Sequence, residues 1–183
     1  MSEERSRGEW FNALPRTDRI YRLIEQVHRG EREESRVRAI DALGESGDPR
    51  AVQALVACTY DESAEVRKHA TRALCKLGSV RGVRALNDRL RDRKEEWDTR
   101  KLAAEGLREI RSYSAIEFLV ERLLDRREEA VVRTHIAGVL AETGCKRAYR
   151  ALSACLSDEN QAVRKAAEVA FRVLDLSRES LRE

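Results

Sequence analysis

The sequence is poor in residues on which many other folds depend. Its 183 residues include only two prolines, and aromatic residues make up 5% of the chain. No apolar run is long enough to span a bilayer, and the polar residues 1–7 have no apolar stretch behind them. These absences argue against a signal peptide, a membrane protein and a β-sandwich, and they favour helices.

The cysteines are too few and too widely spaced for a disulfide scaffold. Cys58, Cys75, Cys145 and Cys155 include no Cys-x-x-Cys pair. A free thiol packs as a small hydrophobic residue, so we expect these side chains to be buried or half-buried. The absence of a disulfide pattern and of a leader segment predicts a cytoplasmic protein.

Charge, by contrast, is abundant and nearly balanced. Lysine and arginine number 36 against 33 aspartates and glutamates, a formal net charge of +3. Charged residues make up 38% of the chain and hydrophobic residues 42%, mostly leucine, valine and alanine. This composition is typical of stacked amphipathic helices. The excess of positive charge is too small to indicate a nucleic-acid domain by itself.

Five segments of the chain follow one template. In the second copy Val66, Ala70, Ala73, Leu74 and Leu77 stand at i, i+4, i+7, i+8 and i+11, which is one apolar stripe at helical period. Each copy has an arginine at the same place near its start, and these arginines recur every 31 or 33 residues. They are Arg36, Arg67, Arg100, Arg133 and Arg164.

A second helix of about 12 residues follows each of the first four stripes. Gly47, Gly78 and Gly144 mark three of the turns, because glycine adopts the left-handed conformation that ends a helix. The third turn has Arg111 instead. Four second helices end at an aspartate, namely Asp61, Asp92, Asp125 and Asp158. One helical pair cannot cover its own stripes, so the copies must stack into an all-α solenoid.

The second copy also resembles a known repeat. It contains Asp61, Val66-Arg67, Ala70, Ala73-Leu74 and Gly78, followed by Gly82-Val83 and Leu86. This pattern is similar to the HEAT-like repeat first associated with phycobilisome lyases, over residues 33–176. The resemblance implies a right-handed superhelix of about five short helix pairs. It does not determine the function, because such repeats serve scaffolds, lyases and assembly factors.

Upstream of the repeats, Ile20, Leu23, Ile24 and Val27 predict another helix over residues 17–29. We interpret it as part of a cap that closes one end of the stack. The predicted parts are a mobile segment at 1–8, a cap at 9–32, repeats at 33–176 and a tail at 177–183, with cap and repeats forming one array over 9–176.

The resemblance implies that second-helix residues off the apolar stripe line a concave face. These positions combine arginines, small residues and two aromatic residues, a composition that suits protein docking. Acidic residues such as Glu117 and Glu121 interrupt the positive charge, so an ordinary solvated face is the alternative. The candidate groove residues are Tyr21, Gln53, Arg84, Arg89, Phe118, Arg122 and Arg150.

The five template arginines recur in step with the four loop aspartates. Each arginine can therefore bind a loop carboxylate with both terminal nitrogens and link adjacent repeats. We interpret the arginines and aspartates as a structural ladder, with a ligand-binding row of arginines as the alternative.

A second candidate surface lies near the C-terminus. In the fifth first helix, Val169, Val173 and Leu176 occupy outward positions that are mostly polar in the other copies. We expect this stripe to point away from the preceding stack and to be covered. Either the tail through Leu181 folds back on it, or another chain docks there, such as a second copy in a homodimer.

No pattern predicts catalysis, a metal site or a cofactor. His28, His69 and His135 are not followed by glutamate, which excludes the iron-binding pairs of HEAT-repeat deoxyhypusine hydroxylases. We therefore expect a non-enzymatic scaffold that binds another protein. Two alternatives stay open: nucleic-acid binding by the loop with Arg89, Arg91, Arg93 and Lys94, and a bilin-lyase-like role implied by the resemblance alone.

Overall fold

A computed structural model describes residues 16–30 and 32–179, with the side chains of 19–30 and 32–174. This part of the chain forms α-helices and one short 3-10 helix at Val80–Gly82, and none of it forms a strand. The all-α prediction is confirmed. The α-helices are α1 (Arg16–Arg29), α2 (Glu33–Ser46), α3 (Ala51–Cys58), α4 (Ala64–Leu77), α5 (Val83–Arg91), α6 (Trp97–Ile110), α7 (Tyr113–Leu124), α8 (Ala130–Ala141), α9 (Lys146–Cys155) and α10 (Gln161–Glu179).

The chain divides into two compact units, Met1–Gly82 and Val83–Glu183. In the first unit, α1 packs against both α2 and α3, which is the place of a second helix in a preceding repeat. Helices α2 and α4 approach closely. A Cβ atom added to Gly44 would lie 2.8 Å from the Cβ of Ala73, so only glycine fits there without a shift.

The second unit contains two layers of helices. Helices α6, α8 and α10 pack side by side in the first layer, and α5, α7 and α9 form the second layer. Each second-layer helix from α7 onward also packs against the first-layer helices that precede and follow it in sequence. The helix-pair repeats predicted from the sequence are therefore present within each unit.

The apolar stripes supply the core of both units. In the second copy Val66, Ala70, Ala73 and Leu74 are each at most 2% exposed, while Leu77 at the end of the helix is half-buried. Full burial of a valine or leucine side chain stabilises the fold by about 1.5–3 kcal/mol. The second helices contribute equally buried leucines, including Leu86, Leu119 and Leu152.

The turns between paired helices use the left-handed backbone conformation. Gly47, Gly78 and Gly144 have φ values of 64°, 58° and 64°, as their sequence position predicts. At the third turn Arg111 takes the same conformation, with φ of 51°. This arginine has a positive φ without the freedom of glycine, so its backbone is strained.

Some predicted boundaries fall on parts of the chain that are not described. The segment at 1–8 and the first residues of the cap at 9–32 lie outside the described residues, as does the end of the tail at 177–183. Helix α1 matches the predicted helix at 17–29 to within one residue. The single array over 9–176 stays a prediction.

Candidate functional site

Two ladder arginines bind the loop aspartate of their own repeat. Arg36 places Nη1 2.5 Å from Asp61 Oδ2 and Nη2 3.4 Å from Oδ1. Arg133 contacts both carboxylate oxygens of Asp158 in the same way, and there both residues are more than nine-tenths buried. The hydrogen bonds from Arg133 hold the pKa of Asp158 below its usual value.

The other three arginines also tie their helices to loops. Arg100 binds glutamates rather than Asp125, with Nη2 2.8 Å from Glu128 and Nη1 3.1 Å from Glu129. Arg67 and Arg164 donate to backbone carbonyls of the loops that precede their helices. In all three cases the guanidinium still ties a helix to a loop.

The loops after α5 and α7 share a motif that the sequence interpretation missed. Each reads Asp-Arg-basic-Glu-Glu, at residues 92–96 and 125–129. The aspartate accepts a hydrogen bond from the backbone two residues later, and the first glutamate, Glu95 or Glu128, is buried. Burial is the largest single influence on the pKa of Glu128 and acts to raise it. The hydrogen bonds from Arg100 and from the Glu129 backbone, together with the charges of Arg100 and Arg122, outweigh burial and lower that pKa.

These buried glutamates correct two of the predicted groove residues. Arg89 is only 8% exposed and donates to Glu95 at 2.8 Å, so it is not part of an open groove. Arg122 occupies the matching position, 3.0 Å from Asp125 and 3.6 Å from Glu128. Both arginine side chains extend toward the loop that follows their own helix, because the acidic residues of that loop lie one helical turn or more further along the chain.

The remaining groove candidates divide between the two units. Tyr21 and Gln53 are exposed in the first unit, where the Arg50 guanidinium lies 5.4 Å from the Tyr21 ring centre. Arg84 and Arg150 are exposed in the second unit, and Phe118 is half-buried. Of these seven residues, Arg150 is the one that lines the cleft between α7 and α9 in the second unit.

An open cleft of about 480 Å³ lies between α7 and α9 in the second unit. Its floor is apolar, with Leu124 44% exposed beside Val120. Three cationic side chains surround this floor, namely Lys146, Arg147 and Arg150. The cleft can therefore accept an apolar side chain that is flanked by negative charge.

Tyr113, Glu117 and Arg147 form a cluster beside this cleft. The Arg147 guanidinium lies 4.7 Å from the centre of the Tyr113 ring and donates to the Tyr113 hydroxyl at 2.5 Å. It also pairs with Glu117, and both contacts raise the pKa of Arg147. Tyr113 is 74% exposed. The sequence interpretation missed this cluster, although the pairing of Tyr21 with Arg50 repeats its chemistry in the first unit.

The basic residues proposed for nucleic-acid binding lie at the loop edge of the second unit. Arg91, Arg93 and Lys94 are exposed, and Arg93 donates to the backbone carbonyl of Arg127 in the next loop. The neighbouring Arg126 pairs with Glu159. Part of the positive charge at this edge is therefore already engaged.

The C-terminal valines are exposed at outward positions of α10, and they also border the preceding first-layer helix. Val169 and Val173, 64% and 42% exposed, line a groove with Gly138 and Ala141 of α8. They face outward along the α8–α10 seam because α8 presents small residues there. The side chain of Leu176 lies outside the described part of the structure.

The histidines and cysteines occupy separate environments. His69 lies between two carboxylates, 2.7 Å from Asp41 and 3.0 Å from Glu65, and burial lowers the pKa of His135. Burial raises the pKa of Cys58 to about 11, which keeps this thiol protonated at neutral pH. In the part of the chain that is described, no three His, Cys, Asp or Glu side chains are placed to hold a metal ion.

Among the described residues, no helix combines the length and the apolar character that crossing a bilayer requires.

Two layers of short, stacked helix pairs define a helical-repeat protein. A family model of HEAT repeats matches the chain twice, over residues 20–97 and 89–172. The chain therefore belongs to the HEAT-repeat family. Among curated proteins, none matches the chain in sequence.

Solved structures share this fold at low sequence identity. A chain in the complex of CpcE and CpcF of phycocyanin lyase from Nostoc sp. PCC7120 has a TM-score of 0.61 at 22% identity, covering 84% of this chain and 64% of that one. Human deoxyhypusine hydroxylase has a TM-score of 0.51 at 19% identity, covering 87% and 75%. The Pds5–Scc1 complex gives 0.55 at 14%, covering 83% and 28%. At these identities the likeness shows the fold alone.

Proposed function

We propose that the chain is a non-enzymatic scaffold that binds another protein through the α7–α9 cleft. The observation that supports this is an apolar floor, with Leu124 44% exposed, inside a rim of three cations. Binding energy in protein interfaces concentrates where an apolar or aromatic anchor enters such a depression. The rim adds selectivity, since arginine pairs strongly with carboxylates.

The chemistry of the cleft specifies the partner segment. It would present one leucine-sized or aromatic side chain to Leu124 and Val120, with aspartate or glutamate on either side for Lys146 and Arg150. Arg84 and Phe118 remain proposed contacts of the same partner, on the second-layer helices α5 and α7. Tyr113 contributes an exposed aromatic surface at the edge of the cleft.

Affinity capture from the source organism tests this proposal. The wild type is compared with Leu124→Glu/Arg150→Glu, which places negative charge on the floor and rim of the cleft. The matched control is Val80→Glu/Arg81→Glu, which changes one exposed valine and one exposed arginine in the first unit. We expect the wild type and the control to retain the same stoichiometric partner and the cleft variant to lose it. Equal retention by all three proteins would reject the cleft.

A second candidate function is nucleic-acid binding by the loop edge with Arg91, Arg93 and Lys94. Its support is the exposure of these side chains. Phosphate contacts release counterions, so the affinity for random duplex would fall by orders of magnitude between low and moderate salt. A titration of labelled duplex at two salt concentrations, with Arg91→Glu/Lys94→Glu as the variant, separates this function from protein binding.

A lyase-type role is supported only by the likeness in fold to the phycocyanin lyase complex. Mixing the chain with free bilin tests it directly. A shift in visible absorbance on addition of the chain would support chromophore binding, whereas an unchanged spectrum would reject it.

A further inference from the structure

Both walls of the α7–α9 cleft present their contact residues one helical turn apart. On α7, Val120 and Leu124 stand at i and i+4, so their side chains lie on one face of the helix. On α9, Lys146 and Arg150 have the same spacing. Side chains at this spacing leave the helix about 5–6 Å apart. Each wall therefore offers two points of contact that are separated by the pitch of an α-helix.

Two of the three cations on α9 lack a carboxylate partner within the described part of the chain. Lys146 and Arg150 are exposed, and neither forms an ion pair with a described side chain. Like charges at i and i+4 destabilise a helix, and the first turn of α9 contains no acidic residue to offset them. Arg147 differs, because Glu117 and the Tyr113 hydroxyl already bind its guanidinium. The positive charge that is open to a partner is therefore that of Lys146 and Arg150.

The walls of the cleft do not suit an extended partner segment. A bound strand needs a row of free backbone N–H and C=O groups, whereas the backbone groups in the interior of α7 and α9 are paired within each helix. A polyproline segment needs a groove lined with aromatic side chains, and none of the residues that line this cleft is aromatic. A helix pairs its own backbone groups and meets the cleft with side chains alone.

We propose that the segment bound in the α7–α9 cleft is an acidic amphipathic α-helix. This inference rests on the proposed protein-binding function and specifies the occupant of the same cleft. Two carboxylates one turn apart on the partner helix pair with Lys146 and Arg150. Two leucine-sized side chains on the adjoining face of that helix contact Leu124 and Val120. The apolar contacts contribute most of the affinity, because exposed ion pairs add little, and the ion pairs fix the position of the helix.

Selection from phage-displayed random peptides of about 16 residues, long enough for four helical turns, tests this proposal. The wild type is the target, and Leu124→Glu/Arg150→Glu is the counter-target. We expect peptides that need an intact cleft to carry Asp or Glu at i and i+4, with Leu, Ile or Phe one turn apart on the adjoining face. If no peptide distinguishes the two targets, the proposed function fails together with this inference. If cleft-dependent peptides lack the helical spacing, the helix is rejected and the protein-binding function stands.

Proline substitution in one selected peptide tests its bound conformation. Proline at a central position that faces away from the cleft should weaken binding about 100-fold, because it breaks a helix. Proline at the first helical position is the matched control and should change the affinity less than about twofold, since that position needs no backbone N–H. Isothermal titration calorimetry measures both. A central proline that leaves the affinity unchanged would overturn the helix.

Charge exchange between chain and peptide tests the acidic face. Lys146→Glu and Arg150→Glu should each weaken binding of the selected peptide about fivefold, because each brings like charges together. Lysine in place of one peptide carboxylate should recover most of the affinity for one variant, and lysine in place of the other carboxylate should do so for the second variant. Arg91→Glu is the matched control, since it reverses an exposed charge at the end of α5. Circular dichroism confirms that each variant is folded. Equal affinity of all three variants would overturn the proposed ion pairs.

Discussion

Arg133 and Asp158 form a buried ion pair that joins α8 to the loop before α10. Both terminal nitrogens of the arginine reach the carboxylate, and its Nε donates to the Leu123 carbonyl at 2.7 Å. The neighbouring pair, Arg126 with Glu159, is 69% and 80% exposed. Two pairs of an arginine with a carboxylate in one loop region therefore differ strongly in burial.

Asp158→Ala should lower the free energy of unfolding by about 3–5 kcal/mol, because it leaves a buried arginine without its carboxylate. Glu159→Ala should cost less than about 1 kcal/mol, since water screens the exposed pair. Denaturant titrations at pH 7, followed by circular dichroism, measure both. Similar losses in the two variants would contradict the structural role assigned to burial.

The same aspartate should make stability depend on acid pH. The pKa of Asp158 is lowered in the folded state, first by the hydrogen bonds from Arg133. Its contribution is fully present above the unfolded value of about 3.9 and is lost as pH falls through the lower folded pKa. The stability difference between wild type and Asp158→Asn should therefore be constant from pH 7 to about 5 and shrink below about 4. Denaturant titrations across this range check it, and a constant difference down to pH 2 would contradict it.

Arg111→Gly should stabilise the second unit by about 1 kcal/mol, because glycine removes the left-handed strain at φ of 51°. Arg111→Ala is the control, since it removes the same side chain and keeps the strain. Thermal unfolding of the three proteins gives the comparison. A gain in the alanine variant equal to that in the glycine variant would show that the side chain, and not the backbone, is responsible.

Gly44→Ala should destabilise the first unit by about 1–3 kcal/mol, because the new methyl group would meet Ala73 at 2.8 Å. Gly138→Ala has open space and a helical backbone, so it should be neutral or stabilising by up to about 1 kcal/mol. Both are measured at micromolar concentration by denaturant unfolding. Opposite signs for the two substitutions are the expected result.

The periodic features of the fold could be predicted from the sequence. Stripes such as Val66, Ala70 and Leu74 repeat at helical spacing, and burial of such a stripe requires a neighbouring helix. Gly47 and its equivalents mark turns because their backbone requirement is local. Pairing of Arg36 with Asp61 followed from shared spacing, and the structure contains this contact.

The site could be predicted only in part, because side-chain direction depends on competing partners. Arg89 and Arg122 occupy second-helix positions off the apolar stripe, yet Glu95 and Glu128 draw them into their own loops. The recurring Asp-Arg-basic-Glu-Glu motif was the available signal. That Val169 borders α8 could not be predicted, because this depends on small residues of α8, which are distant in sequence.

The Arg89–Glu95 and Arg122–Glu128 pairs each join a second-layer helix to the loop that follows it. A buried charged residue whose partner lies in another repeat loses that partner when the other repeat is deleted or displaced. Here the arginine and its glutamate are six residues apart and are inherited together. Residues 83–96 and 116–129 therefore each contain both members of one such pair. Duplication of such a segment, in evolution or in design, therefore adds a buried arginine together with its glutamate partner.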